Sequence, residues 1–138
     1  METLRAPYAH AALRRLLHPA SIAIIGASPR EGSFGLRTLR NLRGFAGALH
    51  PVNPRYATIE GTPCFPALSA LPSPPDCAIV ALGRDQVEAT IADCIEAGVG
   101  GVILYASGYA ETRNPDLVAL QARLTAMVAG TGTRLLGP

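Results

Sequence analysis

Short runs of β-branched and apolar residues alternate along this chain with segments of helical periodicity, and that alternation leaves few folds open. Residues 21–26 (SIAIIG) are a β-branched run ending in glycine, which predicts a first strand. In residues 33–43, Leu36, Leu39 and Leu42 fall on one side and Arg37, Arg40 and Arg43 on another, the mark of an amphipathic helix. Residues 48–52 predict a short second strand closed by Asn53-Pro54, and the proline-rich stretch 55–75 holds only a brief strand or helical turn around 64–71. A strand is predicted at 76–82 (DCAIVAL). The helix after it is expected to take Asp85 as N-cap with Glu88 three residues on, to bury Val87, Ile91, Cys94 and Ile95, and to stop at Gly98. Residues 101–105 (GVILY) predict another strand. Asn114-Pro115 opens a last helix with Leu117, Leu120, Leu124, Met127 and Val128 as its stripe, and residues 134–136 begin one more strand. The pattern predicts an α/β fold: a Rossmann-like, doubly wound parallel sheet with helices on both faces.

With 138 residues there is room for one core, and 49 % hydrophobic against 16 % charged residues suits a sheet covered on both sides. The net charge of +2 is too small for a nucleic-acid footprint, and no window approaches the ~20 apolar residues of a membrane span. Residues 1–18 are expected to be an N-terminal extension, with Leu13, Leu16 and Leu17 on a short packing helix, and 19–138 the domain proper. A strand at 134–136 with nothing after it leads us to expect a longer parent chain. Cys64, Cys77 and Cys94 are odd in number and lack metal-ligand spacing; Cys77 and Cys94 lie on apolar stripes, which predicts buried thiols, a reducing compartment and hence the cytoplasm.

In an open parallel sheet, ligands bind beyond the carboxyl ends of the strands. Three loops fall there. Residues 26–35 (GASPREGSFG) offer glycines for close backbone approach and a helix N-terminus for a phosphate, although Ser28 stands where a dinucleotide fingerprint has its second glycine. The loop after strand two carries Arg55 and no acid, where NAD-binding domains place a carboxylate for the ribose. That disfavours NAD and favours a ligand with an extra phosphate, either NADP or the 3′-phosphorylated ADP end of coenzyme A. The third loop, residues 106–111 (ASGYAE), again brings glycine near a ligand and gives Glu111 a capping role. All 12 basic residues are arginine, so the Tyr/Lys pair of an NADP oxidoreductase is absent.

PASIAIIGAS, HPVNPRY, EGTPCFPALSALPSPPDCAIVAL, ASGYAE and RLLGP, in this order and spacing, resemble the N-terminal CoA-binding domain of NDP-forming acyl-CoA synthetases. The α subunit of succinyl-CoA synthetase is a more distant relative. The resemblance runs from about residue 13 to 138 and implies a Rossmann-like fold with coenzyme A as cofactor. It implies that Gly26, Ala27, Ser28, Pro29, Arg30, Glu31 and Ser33 form the first contact loop, and that Asn53 and Arg55 meet the phosphorylated ADP end. Leu82, Gly83, Tyr105, Ala106 and Ser107 would complete the site. It also implies an ADP- or GDP-forming ligase whose phosphohistidine and nucleotide-grasp domains lie downstream, in the same or a partner chain. His10 and His18 in the N-terminal linker and His50 in strand two match no phosphohistidine motif, so no catalytic residue is expected here. A stand-alone CoA-binding or regulatory module is the alternative.

Overall fold

The computed structural model of the chain describes residue 7 and residues 9–105 and 108–137. A short helix α1 (His10–Leu17) precedes β1 (Ser21–Ile25), α2 (Phe34–Asn41) and β2 (Ala48–Val52). The crossover that follows holds two-residue strands β3 (Thr58–Ile59) and β4 (Thr62–Pro63) and a 3₁₀ turn at Leu68–Ala70. Then come β5 (Cys77–Val80), α3 (Arg84–Ala97), β6 (Gly101–Leu104), a 3₁₀ turn at Ala110–Thr112, α4 (Pro115–Val128) and β7 (Arg134–Leu136). Five strands form one parallel sheet in the order β2-β1-β5-β6-β7, the Rossmann-like arrangement expected from the alternation.

The pleat sorts each strand's apolar residues onto two faces. Ala23, Ile25, Ala78, Val80, Val102 and Leu104 pack beneath α3 and α4 with Val87, Ile91, Cys94, Leu124 and Val128. On the opposite face Ile24 meets Leu36 and Leu39 of α2, and Ile22, Cys77 and Ile79 meet Leu16 of α1. Residues 22–25 of β1 are therefore buried on both sides, which is why that strand reads as an unbroken apolar run. Ser33 caps α2 by accepting a hydrogen bond from the Leu36 amide at 3.2 Å, and Asn114 caps α4, with Pro115 in its first turn, by accepting from Asp116.

Three local expectations need correction. The third helix starts at Arg84 with Gly83 as its N-cap and no side-chain cap, so Asp85 lies inside the first turn. There its carboxylate still favours the helix through the dipole. Leu17 does not pack: it is 53 % exposed, and Leu16 alone of the α1 leucines joins a core cluster. His10 and His18 are not linker residues but the first residue and the C-cap of α1, their rings 6.2 Å apart. The proline-rich crossover is also more ordered than its composition suggests. Glu60 and Gly61 turn at positive φ between β3 and β4, and Ile59, 1 % exposed, packs against α2.

Polar contacts pin α1 under the amino end of the sheet. Arg15 donates through Nε to Asp76 Oδ1 at 2.8 Å, through Nη1 to the Gly98 carbonyl at 2.9 Å and through Nη2 to the Pro75 carbonyl at 3.2 Å. Asp76 also accepts from the Ala20 amide at 2.8 Å. The Arg15 hydrogen bond, then the Ala20 amide, holds the Asp76 carboxyl below the usual carboxylate range. A depressed folded value contributes stability above the unfolded value that is lost as pH falls through the folded one. Since Arg15 is 44 % exposed, Arg15→Ala is expected to cost only about 1 kcal/mol in urea denaturation at pH 7. The difference from the parent chain is expected to shrink as pH falls below the ordinary carboxylate value of 3.8 and on through the lower one of Asp76. A difference that stays constant with pH would exclude the ion pair as its source.

Candidate functional site

The chain leaves β1 toward β2 on one side and returns to β5 on the other, so the crevice between the carboxyl ends of β1 and β5 is the topological switch point. A trough opens there in two arms. One, about 460 Å³, lies between the β1–α2 loop and the end of β5 and is lined by Ser33, Phe34, Gly83, Arg84 and Tyr105, among others. The second, about 620 Å³, extends over the end of β2 and is lined by Asn53, Arg55, Tyr56, Leu68 and Gln86, among others. Gly26, Ser28, Arg30 and Leu82 line both arms and make them continuous.

The floor exists because two glycines allow backbones to touch. Gly26 turns at φ +85°, and a Cβ there would lie 2.6 Å from the Ala81 carbonyl oxygen. A Cβ on Gly35 would lie 2.7 Å from the Gly26 carbonyl oxygen, so α2 begins directly on the end of β1. Glycine was expected at position 26 to let a ligand approach; its missing side chain also makes room for the chain leaving β5. Asn53 ties the next loop to this floor, donating from Nδ2 to the Ala27 carbonyl at 2.8 Å and accepting from the Arg55 amide at 2.9 Å.

Four arginines near this loop behave in two ways. Arg40 and Arg43 are engaged by Glu60, and Arg40 also pairs with Glu31 at 2.7 Å. The guanidiniums of Arg30 and Arg55, on the trough wall, make no ion pair or hydrogen bond among the described residues. Ser28 receives the Arg30 amide at 3.1 Å, which shapes the loop at its tip. The wall thus carries two uncompensated cations beside the N-terminus of α2, an arrangement suited to a multiply phosphorylated anion. Asp93 of α3 lies on the far side of the larger arm.

Most of the residues singled out in the sequence converge here, and three do not. Ala27 is fully buried in the α2 core and presents only its carbonyl to Asn53. Pro29 is exposed and lines neither arm. Glu31 turns away to Arg40, whose hydrogen bond holds the Glu31 carboxyl below its usual range. Ala106 and Ser107 lie outside the described residues. Beyond them, Glu111 accepts from the amides of Gly108 and Tyr109 at 2.6 and 3.0 Å, which is the expected capping role.

Arg84 and Phe34 are among the lining residues that were not singled out in the sequence. Arg84 opens α3 and donates from Nη1 to the Gly108 carbonyl at 2.8 Å, fixing the loop after β6; its signal was a cation directly behind Gly83. Phe34 is 63 % exposed at the first position of α2, and its signal was an aromatic outside the leucine stripe. None of the three histidines lines the trough. Burial pushes the Cys77 thiol up to about 11 and that of Cys94 up to about 12, which makes both poor nucleophiles. Among the described residues there is no metal-binding cluster, and no helix long and apolar enough to cross a membrane.

This architecture recurs in known proteins. The chain is 33 % identical over 126 residues to an ADP-forming acetate–CoA ligase I of Archaeoglobus fulgidus, covering 91 % of this chain and 18 % of that relative. It is 36 % identical over 126 residues to a trans-feruloyl-CoA synthase from an unknown prokaryote, covering 90 % and 18 %. It therefore spans about a fifth of the length of these curated relatives. The structure of acetyl-coenzyme A synthetase 1 from Ca. Korarchaeum cryptofilum with phosphate and ADP superposes with a TM-score of 0.84 at 36 % identity, covering 91 % of this chain and 27 % of that one. The family model described as CoA binding domain matches residues 20–138, a span that contains every strand of the sheet and the whole trough. The chain belongs to this family of CoA binding domains.

Proposed function

We propose that the trough holds coenzyme A and that the chain is the CoA-binding part of an NDP-forming acid–CoA ligase. The phosphorylated ADP end lies over β2 against Arg55 and Asn53. The pyrophosphate meets Arg30, Ser28 and the N-terminus of α2 at Ser33. The pantetheine arm runs past Gly26, Leu82 and Gly83 toward Tyr105, Ala106 and Ser107. The observation that carries this reading is the pair of unpaired guanidiniums, Arg30 and Arg55, on the wall of one trough at the switch point. A cation, with no carboxylate, follows β2, which suits a 3′-phosphate better than the free ribose of NAD.

In such a ligase a histidine takes a phosphoryl group from NTP, leaving NDP, and passes it to the carboxylic acid to make an acyl phosphate. The coenzyme thiol then attacks the acyl carbonyl, its C–O bond to phosphate breaks, and the thioester forms as inorganic phosphate leaves. The residues here bind and orient the coenzyme. The histidine and the nucleotide-grasp site belong to further domains of the same or a partner chain. Three free cysteines, all with thiols raised by burial, support a reducing compartment such as the cytoplasm.

Titration calorimetry with coenzyme A, dephospho-CoA, NAD and NADP tests the binding. Coenzyme A is expected to bind tightest. Because Arg55 is exposed, Arg55→Ala is expected to cost about 1 kcal/mol, roughly fivefold, for coenzyme A and little for dephospho-CoA. Equal affinity of parent and variant for coenzyme A would remove Arg55 from the site, and preference for NADP would overturn the coenzyme assignment.

A second expectation concerns turnover. Incubated with labelled ATP or GTP, magnesium, coenzyme A and carboxylic acids, these 138 residues are expected to give neither acid-labile phosphate nor thioester. The chain has no lysine to neutralise a transferring phosphoryl group, and its histidines lie outside the trough. Phosphorylation abolished by replacing His10, His18 or His50 would place catalysis within this chain.

A further inference from the structure

The mouth of the smaller arm is unusually aromatic. Only five large apolar side chains among the described residues are strongly exposed, and two of them, Phe34 at 63 % and Tyr105 at 51 %, flank this mouth. They come from distant parts of the chain, the first residue of α2 and the residue after β6. Their rings stand nearly parallel, 27° between planes, with centroids 6.4 Å apart. Each side of the pair is braced. The Arg37 guanidinium lies 5.8 Å from the Phe34 centroid, and Arg84 holds the loop beyond Tyr105 through the Gly108 carbonyl. A flat group inserted between two rings at ordinary contact distance needs about 7 Å. The two exposed rings stand with their centroids at nearly that separation at the edge of solvent, where burying a third ring against them would remove apolar surface from water.

We infer that Phe34 and Tyr105 form an aromatic clamp for a flat acyl group carried on the coenzyme thiol, so that the site favours aryl over short aliphatic carboxylic acids. The inference rests on the coenzyme orientation proposed above. With the phosphates drawn to Arg30 and Arg55, the arm bearing the thiol points into the smaller trough and leaves it between the two rings. A clamp on the adenine instead would require the phosphates to turn away from Arg55. What the pair offers is two ring faces, so the discrimination is by shape and stacking.

The experiment is calorimetric titration of the chain with coenzyme A, acetyl-CoA and benzoyl-CoA. One stacked ring predicts benzoyl-CoA binding roughly two- to tenfold tighter than acetyl-CoA. In Phe34→Leu and in Tyr105→Leu, checked for folding by circular dichroism, the benzoyl-to-acetyl ratio is expected to fall to about one. The comparison in the unsubstituted chain decides even where a variant folds poorly. A ratio of one there overturns the clamp. So does a uniform weakening of all three ligands in both variants with the ratio unchanged, which places the adenine between the rings. If coenzyme A binds without aryl preference, only this inference fails; if no CoA species binds, the underlying reading fails and the clamp with it.

Discussion

The backbone leaving β1 turns at Gly26 within contact of the Ala81 carbonyl, and the first turn of α2 rests on that same turn through Gly35. A single methyl at either position would have to displace main-chain atoms of the sheet end. The approach sets how far α2 stands from β5, and so sets the width of the smaller arm. It also puts the unpaired amides at the start of α2 directly above the switch point, where the capping bond from Ser33 occupies only one of them. The loop bearing Ser28 and Arg30, the Asn53 staple on Ala27 and the start of α3 are all registered against this contact.

Much of this was legible in the chain because its signals are local. The apolar run of β1, the leucine stripe of α2 and the Asn114-Pro115 start of α4 each express one physical preference that tertiary packing does not oppose. Asp85 misled because aspartate is favoured both as a cap and in the first turn, and only the position of Gly83 separates the two. Leu17 misled because one amphipathic turn does not reveal how much of its face the sheet covers.

At the site, residue type forecast position well for Arg55 and Ser28 and badly for Glu31. No local pattern shows that Arg40, one helix away, and Arg43 beyond it would gather Glu31 and Glu60 into a network on the outer surface. Phe34 and Tyr105 were invisible as a pair for a related reason. Their proximity is a product of strand order, which places the end of β6 beside the start of α2 across the 70 intervening positions 35–104.

The exclusive use of arginine has a consequence for how the trough behaves across pH. A guanidinium keeps its proton throughout the range in which proteins stay folded, whereas lysine loses its charge readily when desolvated. Neither arm has a histidine or a cysteine among its described lining residues. The charge that the two guanidiniums on the wall offer a guest is therefore fixed by residue type. The proton-sensing partner is then the guest: a terminal phosphate gains charge through its second ionisation near pH 6, while the guanidiniums that meet it keep theirs.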